Sequence, residues 1–386
     1  MPILSNDMID FKQHWLSLVC FFGVIASPFA DVHIYFFDVG QGNCILLRNE
    51  KNAILVDAGS GNTTFENISD SFKKCLGGIK INGIVLTHLD SDHINFVKDI
   101  TESKEFTAPG SLIYSTRTNS KGPSIVCGPA ISSLQKVQGT YEEGINTIQV
   151  YLNGLFGSES FTFLKANWSS FLQKSDTNAT CLVFSFKYHG CKVLFTGDST
   201  GRALDKYIEQ EEGVSWWKEN RDVIANTNIF VMPHHGSEED GAWRWTLNVT
   251  KYSPNLIATI INVDATKTLY NHPRAWITDV TWPDSMQSVG FANLFSYNRG
   301  RGQTLQAQIA ENLFTTGDHE EGVNFIEIII KEEDSSINIM RDKREIPLGI
   351  PIRPPSAMRH STVLPKKRAR KDTTSDMPPS YSESTF

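Results

Sequence analysis

Short apolar runs alternate with clusters of glycine, asparagine and aspartate along most of the chain after Ala30. Apolar runs of this length, bounded by turn-forming residues, predict β-strands. We predict strands at 33–38, 44–48, 53–57, 84–87, 181–186, 191–195 and 229–232. Helical patterns lie between them, for example at 65–76 and 201–211. Strands interleaved with helices predict a layered α/β protein with one central core.

The first thirty residues have a different pattern. Residues 15–26 are almost wholly apolar, and Ser27-Pro28-Phe29-Ala30 follows just before the first predicted strand. This run is shorter than the ~20 apolar residues of a membrane span, and Ala26 and Ala30 are small residues suited to cleavage. We interpret residues 1–30 as a signal peptide and expect export to the periplasm or secretion, with no membrane span in the mature chain. The acidic residues near the start fit the alternative of a hydrophobic helix packed on the domain.

The end of the chain is rich in proline, serine, threonine, lysine and arginine. This composition predicts a disordered tail at 345–386, after a single domain at 31–340. In the tail, Pro365-Lys366-Lys367-Arg368-Ala369-Arg370-Lys371 is typical of a nuclear-localisation signal, and Pro378-Pro379-Ser380-Tyr381 matches the PPxY ligand of WW domains. A nuclear-import or WW-domain partner, and a nuclear or cytoplasmic location, are therefore alternatives to export. Both locations are compatible in an effector that one organism secretes into another.

Composition narrows the class of protein but not its substrate. With 386 residues, 40% hydrophobic and 20% charged, the chain has the composition of a soluble globular protein. Its net charge of −7 gives no general attraction to polyanions, so a phosphate-bearing substrate is neither favoured nor excluded. The six cysteines form no CxxC pair, which argues against a thiolate zinc site or a disulfide framework. We expect small buried cysteines with at most one bridge.

The densest chemistry in the chain is the run His88-Leu89-Asp90-Ser91-Asp92-His93, directly after a β-branched strand. Side chains at i and i+2 of an extended chain point the same way, so His88 and Asp90 can address one metal ion. Asp92 and His93, where the chain turns, can address a second position. Imidazole nitrogen and carboxylate oxygen are the donors that zinc and harder divalent cations accept. We therefore predict a metal site here rather than a solvated acidic turn.

Three further strand ends carry metal-competent side chains. Asp198 ends the run Phe195-Thr196-Gly197-Asp198, and His234 and His235 follow the strand at 229–232. Asp57 ends an earlier strand, where a turn residue is the alternative interpretation. An aspartate at a strand end can bridge two metal ions, and a histidine from the next strand can complete the ligand set. We expect one of the two neighbouring histidines to bind metal and the other to contact substrate.

This ordered set, over about residues 31–330, resembles the metallo-β-lactamase superfamily. The resemblance implies an α/β (α+β) fold, a four-layer αββα sandwich with metals at one edge between the sheets. Within the superfamily, Phe37-Asp38-Val39-Gly40-Gln41-Gly42-Asn43 resembles the "DVGQGD" segment of the ComEC-type competence-protein hydrolase domain. That branch also has the HxDxDH motif, a "PHHGS" run as at 233–237, and segments similar to Tyr270-Asn271-His272-Pro273 and Asn178-Ala179-Thr180.

Three positions depart from the family pattern. The glycine two residues after the Asp-His pair is Asn95, which questions how closely the next helix packs. The acidic residue that ends the GQGD run is Asn43, which weakens any role of that carboxylate. The mid-chain histidine ligand of the wider superfamily is absent, as it is in the ComEC-like branch. These departures concern the surroundings of the site and the number of nitrogen ligands.

The resemblance implies a metal-dependent hydrolase. Asp90 and the missing mid-chain histidine make the donor set rich in oxygen, so we expect Zn²⁺ or Mn²⁺, either as one firmly held ion or as that ion with a second, weaker one. A metal-bound water, acidified to hydroxide near neutral pH, would attack a phosphorus or carbonyl centre. Asp92 is predicted to orient or deprotonate that water. His272 is predicted to contact substrate phosphate or the leaving group, with a turn-capping histidine as the alternative.

The predicted site has two sets of residues. The predicted metal ligands are His88, Asp90, Asp92, His93, Asp198, His234 and His235, and the predicted supporting residues are Asp57, Gln41 and Asn178. The leading hypothesis is a phosphodiesterase or nuclease with a phosphate-ester substrate such as DNA. Hydrolysis of a phosphocholine ester or a carboxylic ester is the alternative chemistry. A hypothesis of a different class is a non-catalytic module whose tail binds partners.

Overall fold

The structure is a computed structural model. It describes residues 30–115, 135–136, 141–164, 178, 181–200, 220–237, 245, 249, 252–253, 255–262, 313–315, 325–341 and 344–346. All of these residues lie in one compact unit, Met1–Ile352. The predicted signal peptide before Ala30, the predicted helix at 201–211, His272 and the tail motifs lie outside the described residues. Within the described part of the chain, no helix is both long and apolar enough to cross a membrane.

The described elements are numbered in chain order. The strands are β1 (Val32–Phe37), β2 (Cys44–Arg48), β3 (Ala53–Ala58), β4 (Ile81–Leu86), β5 (Thr107–Ser115), β6 (Gln135–Lys136), β7 (Phe161–Phe163), β8 (Phe184–Tyr188), β9 (Cys191–Phe195), β10 (Ile229–Val231), β11 (Ala258–Ile261), β12 (Leu313–Thr315), β13 (Phe325–Ile330), β14 (Ile337–Arg341) and β15 (Arg344–Ile346). The helices are α1 (Phe65–Leu76), α2 (Ser91–Ile94), α3 (Val97–Glu102), α4 (Tyr141–Phe156) and a short 3₁₀ helix (Pro233–Gly236).

The strands form two sheets. The larger sheet has the order β15-β14-β13-β1-β2-β3-β4-β5-β6, and the smaller has the order β12-β11-β10-β9-β8-β7. β3, β4 and β5 are parallel in the larger sheet, and β9, β10 and β11 are parallel in the smaller one. Parallel neighbours end at the same edge, and sites in α/β folds gather at such carboxyl ends. Each sheet therefore presents several strand ends together.

The larger sheet is covered on both faces, because its strands carry apolar side chains on alternate sides. In β1, Ile34 and Phe36 join a buried cluster between the two sheets, to which α4 also contributes. Tyr35 and Phe37 face the opposite side and pack under α1 and α3. The Phe37 and Phe72 rings, for example, lie with centroids 5.3 Å apart. The described residues thus form a central cluster between the sheets and a second cluster between the larger sheet and its helices.

Helix α1 shows how local sequence sets its bounds. Its apolar residues at 65, 68, 72, 75 and 76 fall on one face and are buried. The helix ends at Gly77, whose φ of 60° is left-handed and whose N–H donates to the carbonyls of Lys73 and Lys74. A glycine in this conformation is the usual helix stop. The predicted range 65–76 is the observed one.

The predicted strands overlap the observed ones, but one strand start and the predicted end of the domain differ from the structure. The predicted strand at 181–186 begins only at Phe184, because Leu182 donates its N–H to the carbonyl of Thr87 and so pairs outside the β8 ladder. At the other end of the chain, β15 continues the larger sheet to Ile346, past the predicted domain end at 340. Cys44, Cys75, Cys181 and Cys191 are buried free thiols, in agreement with the prediction for the cysteines.

Candidate metal centre

The candidate centre lies where strand ends of the two sheets meet. The larger sheet supplies Asp57, near the end of β3, and the segment 88–93 that follows β4. The smaller sheet supplies Asp198 after β9 and the pair His234 and His235 after β10. The structure thus brings together side chains that the sequence places in four separate segments.

Four of these side chains form a compact set that we name the inner group: Asp92, His93, Asp198 and His235. One ligand atom from each lies within 4.8 Å of the others. His93 Nε2 is 3.0 Å from Asp198 Oδ1, and His235 Nε2 is 3.4 Å from Asp92 Oδ2. Two imidazoles and two carboxylates at these separations are compatible with one divalent cation.

A second set, which we name the outer group, consists of His88, Asp90 and His234. His88 Nε2 lies 3.6 Å from Asp90 Oδ2, and it is 3.9 Å from Asp198 Oδ2. His234 Nε2 is 3.7 Å from the same Asp198 oxygen. Asp198 Oδ1 therefore lies next to His93, whereas Oδ2 lies between the two groups, 3.7 Å from both His234 Nε2 and His235 Nε2. A carboxylate in this position could contribute to both groups.

The partners of each Nδ1 atom fix the tautomers of three histidines. His93 Nδ1 donates to Asp57 Oδ2 at 2.8 Å, and His235 Nδ1 donates to the backbone carbonyl of Asn262 at 2.8 Å. The Thr87 hydroxyl donates to Asp57 at 2.7 Å, so at 3.1 Å it accepts from His88 Nδ1. All three rings consequently direct Nε2 toward the cluster. Metal-binding histidines have this arrangement, in which a second partner holds the other nitrogen.

Unpaired buried atoms test whether a cation fits. Within the described part of the chain, the Nε2 atoms of His88, His93 and His235 and the Oδ1 atom of Asp198 are buried without a hydrogen-bond partner. Although His93 Nε2 and Asp198 Oδ1 are close, their geometry is not that of a hydrogen bond. Each unsatisfied buried polar group costs about 1–3 kcal/mol. A cation at the inner group would satisfy the His93, His235 and Asp198 atoms, and a second one at the outer group would satisfy His88 Nε2, so the donor set fits a metal.

In the inner group, neighbouring groups of opposite charge favour the ionised forms of Asp92, His93 and Asp198. Burial alone raises the pKa of Asp198, but the nearby histidines, first His93 and then His235, hold that pKa well below its usual range. Burial lowers the pKa of His93, yet the carboxylates of Asp198 and Asp57 outweigh it and raise this pKa well above its usual value. Burial likewise opposes ionisation of Asp92, and the contacts with His235 and His93 still lower its pKa to about 2.

Three residues of the centre have left-handed backbone conformations. Asp57, His234 and His235 have φ angles of 54°, 50° and 51°. Such angles are uncommon outside glycine, and sparsely populated conformations cost of order 1–3 kcal/mol each. Here they are held by hydrogen bonds, for example from His234 N–H to the carbonyl of Gly197 at 3.1 Å. These left-handed conformations orient the three side chains toward the centre.

Two glycines allow the segments to approach. A Cβ atom on Gly59 would come within 2.5 Å of the His93 backbone nitrogen, so only glycine lets β3 approach the 88–93 segment this closely. A Cβ atom on Gly197 would meet Thr87 Oγ1 at 2.6 Å, and Gly197 has a φ of 51°. Both glycines are therefore part of how the sequence builds the centre.

The remaining predicted residues have different surroundings. Asp57 accepts from Thr87 and His93 as a supporting residue would. Gln41 is buried and its N–H donates to Asn62 Oδ1 at 2.8 Å. The backbone carbonyl of Asn178 accepts a hydrogen bond from the N–H of Cys181 at 3.3 Å.

Two of the departures from the family pattern have a structural account. The Asn95 side chain exchanges two hydrogen bonds with the Ser60 backbone, at 2.9 and 2.7 Å, so the chain after α2 stays attached to the loop after β3. Asn43 is 5% exposed and contacts both Asp57 and Asn262. Thr87 and Asn262 also contact histidines of the centre, and neither was predicted as a site residue. Asn262 is a polar residue after a buried strand, the same signal that identified Asp198.

The chain is similar to one protein family over part of its length and to several solved structures. The model of the metallo-beta-lactamase superfamily matches residues 37–111. No curated protein matches the chain. Among solved structures, the metallo-beta-lactamase fold protein YhfI from Bacillus subtilis is 12% identical, over 67% of this chain and 93% of that one, with a TM-score of 0.39. A diphosphatase from the PhnP family is 11% identical over 60% and 85%, with a TM-score of 0.32. These two TM-scores are too low to support an argument about function.

The superfamily model matches residues 37–111, and the two sheets of the mixed α/β fold agree with the predicted sandwich. The histidine and aspartate cluster is compatible with a divalent metal. The predicted α/β fold with two sheets is confirmed, whereas hydrolase activity and metal binding stay predictions. The ComEC-type branch, the identity of the metal and the substrate stay predictions.

Proposed function

We propose that this metallo-beta-lactamase superfamily domain is a metal-dependent phosphodiesterase or nuclease. The observation that carries the proposal is the common orientation of His88, His93 and His235. Each has Nδ1 held by a hydrogen-bond partner and Nε2 directed into the buried cluster around Asp198. Imidazoles held in this way are the usual ligands of catalytic metal ions.

The inner group would hold one divalent cation, and the outer group would hold a second with Asp198 between them. A bound cation supplies Lewis acidity, which lowers the pKa of water and stabilises negative charge on the reacting oxygens. The donor set contains Asp90, Asp92 and Asp198 besides the histidines, and such oxygen-rich sets suit Mn²⁺ as well as Zn²⁺.

The protein's side chains would orient the attacking water and bind the substrate. Asp92 has a pKa of about 2, so it is ionised at neutral pH and accepts hydrogen bonds rather than protons. It would hold the cation and orient the attacking water. The Asp90 side chain is 39% exposed and that of His234 18%, whereas that of Asp198 is 5% exposed. Substrate would therefore approach from the outer group, and His272 is proposed to contact its phosphate.

The preference for a phosphodiester rests on the oxygen-rich donor set and on the ComEC-like segment at 37–43. The test is hydrolysis of bis-p-nitrophenyl phosphate and single-stranded DNA by the purified protein with Mn²⁺ or Zn²⁺. Asp198→Asn is expected to lower the rate at least about 100-fold, because it removes the charge between the two groups. Asp99→Asn, an exposed aspartate of α3, is the matched control and should retain the rate.

Three outcomes decide between the candidate functions. Inactivity on both substrates, or wild-type rates from Asp198→Asn, would contradict the proposal. Turnover only of p-nitrophenyl phosphocholine or p-nitrophenyl acetate would favour another ester. A purified protein that binds no divalent metal would favour the non-catalytic module whose tail binds WW-domain or nuclear-import partners.

A further inference from the structure

Two buried asparagines connect the two histidines of the inner group. We infer that Asn43 and Asn262 are positioning residues, which set the separation of His93 and His235 through one continuous chain of hydrogen bonds between the two sheets. This inference rests on the proposed function, since it assigns the asparagines a role in metal binding. Neither residue belongs to the inner or the outer group.

The chain can be followed atom by atom. His93 Nδ1 donates to Asp57 Oδ2 at 2.8 Å, and Asn43 Nδ2 donates to that same oxygen at 3.4 Å. Asn262 Nδ2 then donates to Asn43 Oδ1 at 2.6 Å. The backbone carbonyl of Asn262 accepts from His235 Nδ1 at 2.8 Å. The two imidazoles are thus joined through their Nδ1 atoms, opposite the Nε2 atoms that face the cluster.

The side-chain contact between Asn43 and Asn262 joins the two sheets. Asn43 immediately precedes β2 in the larger sheet, and Asn262 immediately follows β11 in the smaller sheet. They are 219 positions apart in the chain, and they are 5% and 3% exposed. The Asn43 backbone also donates its N–H to the Asp92 carbonyl at 3.1 Å. Asn43 therefore restrains both inner residues that come from the larger sheet.

An amide at position 43 has the chemistry that this link requires. The Asp57 carboxylate only accepts hydrogen bonds, so the Asn43 atom that faces it must be the nitrogen. The Asn43 oxygen is then free to accept from Asn262. A carboxylate at this position could accept from Asn262 but could not donate to Asp57. The asparagine that replaces the family's acidic residue is thus matched to both of its neighbours.

Metal affinity tests the link, with Asn43→Ala, Asn262→Ala and the double variant measured by chelator competition for Zn²⁺. Loss of the direct partner of a ligand typically weakens metal binding 10–100-fold. Both single variants keep those partners, Asp57 and the backbone carbonyl of residue 262, so we expect each to weaken Zn²⁺ binding by about tenfold or less. The double variant should bind Zn²⁺ with the same affinity as whichever single variant binds it less tightly, because either change interrupts the same chain of hydrogen bonds. The visible spectrum of the Co²⁺-loaded protein should also change in both single variants.

Asn228→Ala is the matched control. Asn228 is 5% exposed and its side chain makes two hydrogen bonds, to Lys192 N–H and the Asn255 carbonyl, at the opposite end of β10. It should lower stability without changing Zn²⁺ affinity or the Co²⁺ spectrum. Affinities of Asn43→Ala or Asn262→Ala equal to wild type, or losses that multiply in the double variant, would overturn the link alone. Failure of the wild-type protein to bind Zn²⁺ would overturn the proposed function as well.

Discussion

The inner and outer groups of the candidate centre use the same residue types in different surroundings. In the inner group, the His93 and His235 side chains are 0% and 1% exposed, and each Nδ1 is held by a buried acceptor. In the outer group, the Asp90 and His234 side chains are 39% and 18% exposed and that of His88 is 1% exposed, whereas in the inner group only Asp92, at 19%, has comparable exposure. At the exposed outer residues, water competes with the side chains for the cation, and side-chain motion lowers its affinity more than at the buried inner residues. We therefore expect the inner group to bind metal more tightly than the outer group. Substrate would enter and leave at the outer group.

The largest expected effect distinguishes the two neighbouring histidines. His235→Asn should remove the tightly bound ion, whereas His234→Asn should lower the metal content by at most the weaker ion. Asparagine tolerates the positive φ angles of both positions, so the backbone cost is similar in the two variants. Metal content by inductively coupled plasma mass spectrometry checks this. Equal losses from both variants would break the distinction between the groups.

A smaller effect is expected from the partner of His93. Asp57→Asn removes the carboxylate that accepts from His93 Nδ1 at 2.8 Å while keeping the side chain's size. Second partners of metal ligands typically contribute 10–100-fold to affinity, so we expect a loss of about that size at the inner position. Chelator competition measures it. Asp70→Asn, an exposed aspartate of α1, is the control and should bind metal as the wild type does.

The pH dependence of metal binding should report on the inner group. The pKa of His93 is raised well above its usual value, so the metal-free protein holds a proton there at neutral pH. A cation must displace that proton, and affinity should fall about tenfold per pH unit as the pH decreases from 7 to 6. Without metal, the stability from the raised His93 pKa is complete below about pH 6.5 and is lost as pH rises through the raised value. A pH-independent affinity in calorimetry would contradict this assignment.

The smallest effect concerns stability alone. A methyl group on Gly197 would meet Thr87 Oγ1 at 2.6 Å, and the φ of 51° disfavours any side chain. Gly197→Ala should lower the free energy of unfolding by about 1–3 kcal/mol, the usual cost of overpacking. Thermal denaturation of the metal-free protein measures this. Gly154→Ala, in α4 with no atom near the new methyl group, should not lower the melting temperature.

The fold could be predicted from the sequence where a pattern is local. The helix at 65–76 has its own periodicity and stop signal, and its bounds are the observed ones. The strand at 181–186 was misplaced because Leu182 pairs with Thr87, a contact that local pattern does not encode. The sequence also does not show which face of a sheet a given helix packs against. The second hydrophobic cluster under α1 and α3 therefore appeared only in the structure.

The candidate centre could be predicted as a set of donors, and the separation of His88 and Asp90 from Asp92 and His93 could be predicted from their spacing. Charged and imidazole side chains at strand ends are visible in the sequence, and the structure places all of the described ones near Asp198. Which nitrogen each histidine presents depends on Thr87, Asp57 and Asn262, whose relation to the rings is set by packing. The choice between His234 and His235 likewise depends on a backbone turn that no motif specifies.

The pairing of β1 with β13 has a consequence for synthesis of the chain. Val32 pairs with Ile330, so the first strand of the larger sheet lacks its neighbour until almost the whole domain has been translated. At ~5–20 residues per second, that interval is roughly 15 to 60 seconds. An apolar strand with one unpaired edge is prone to pair with other chains. The nascent protein would therefore depend on chaperones, or on delayed folding, until its last strands emerge from the ribosome.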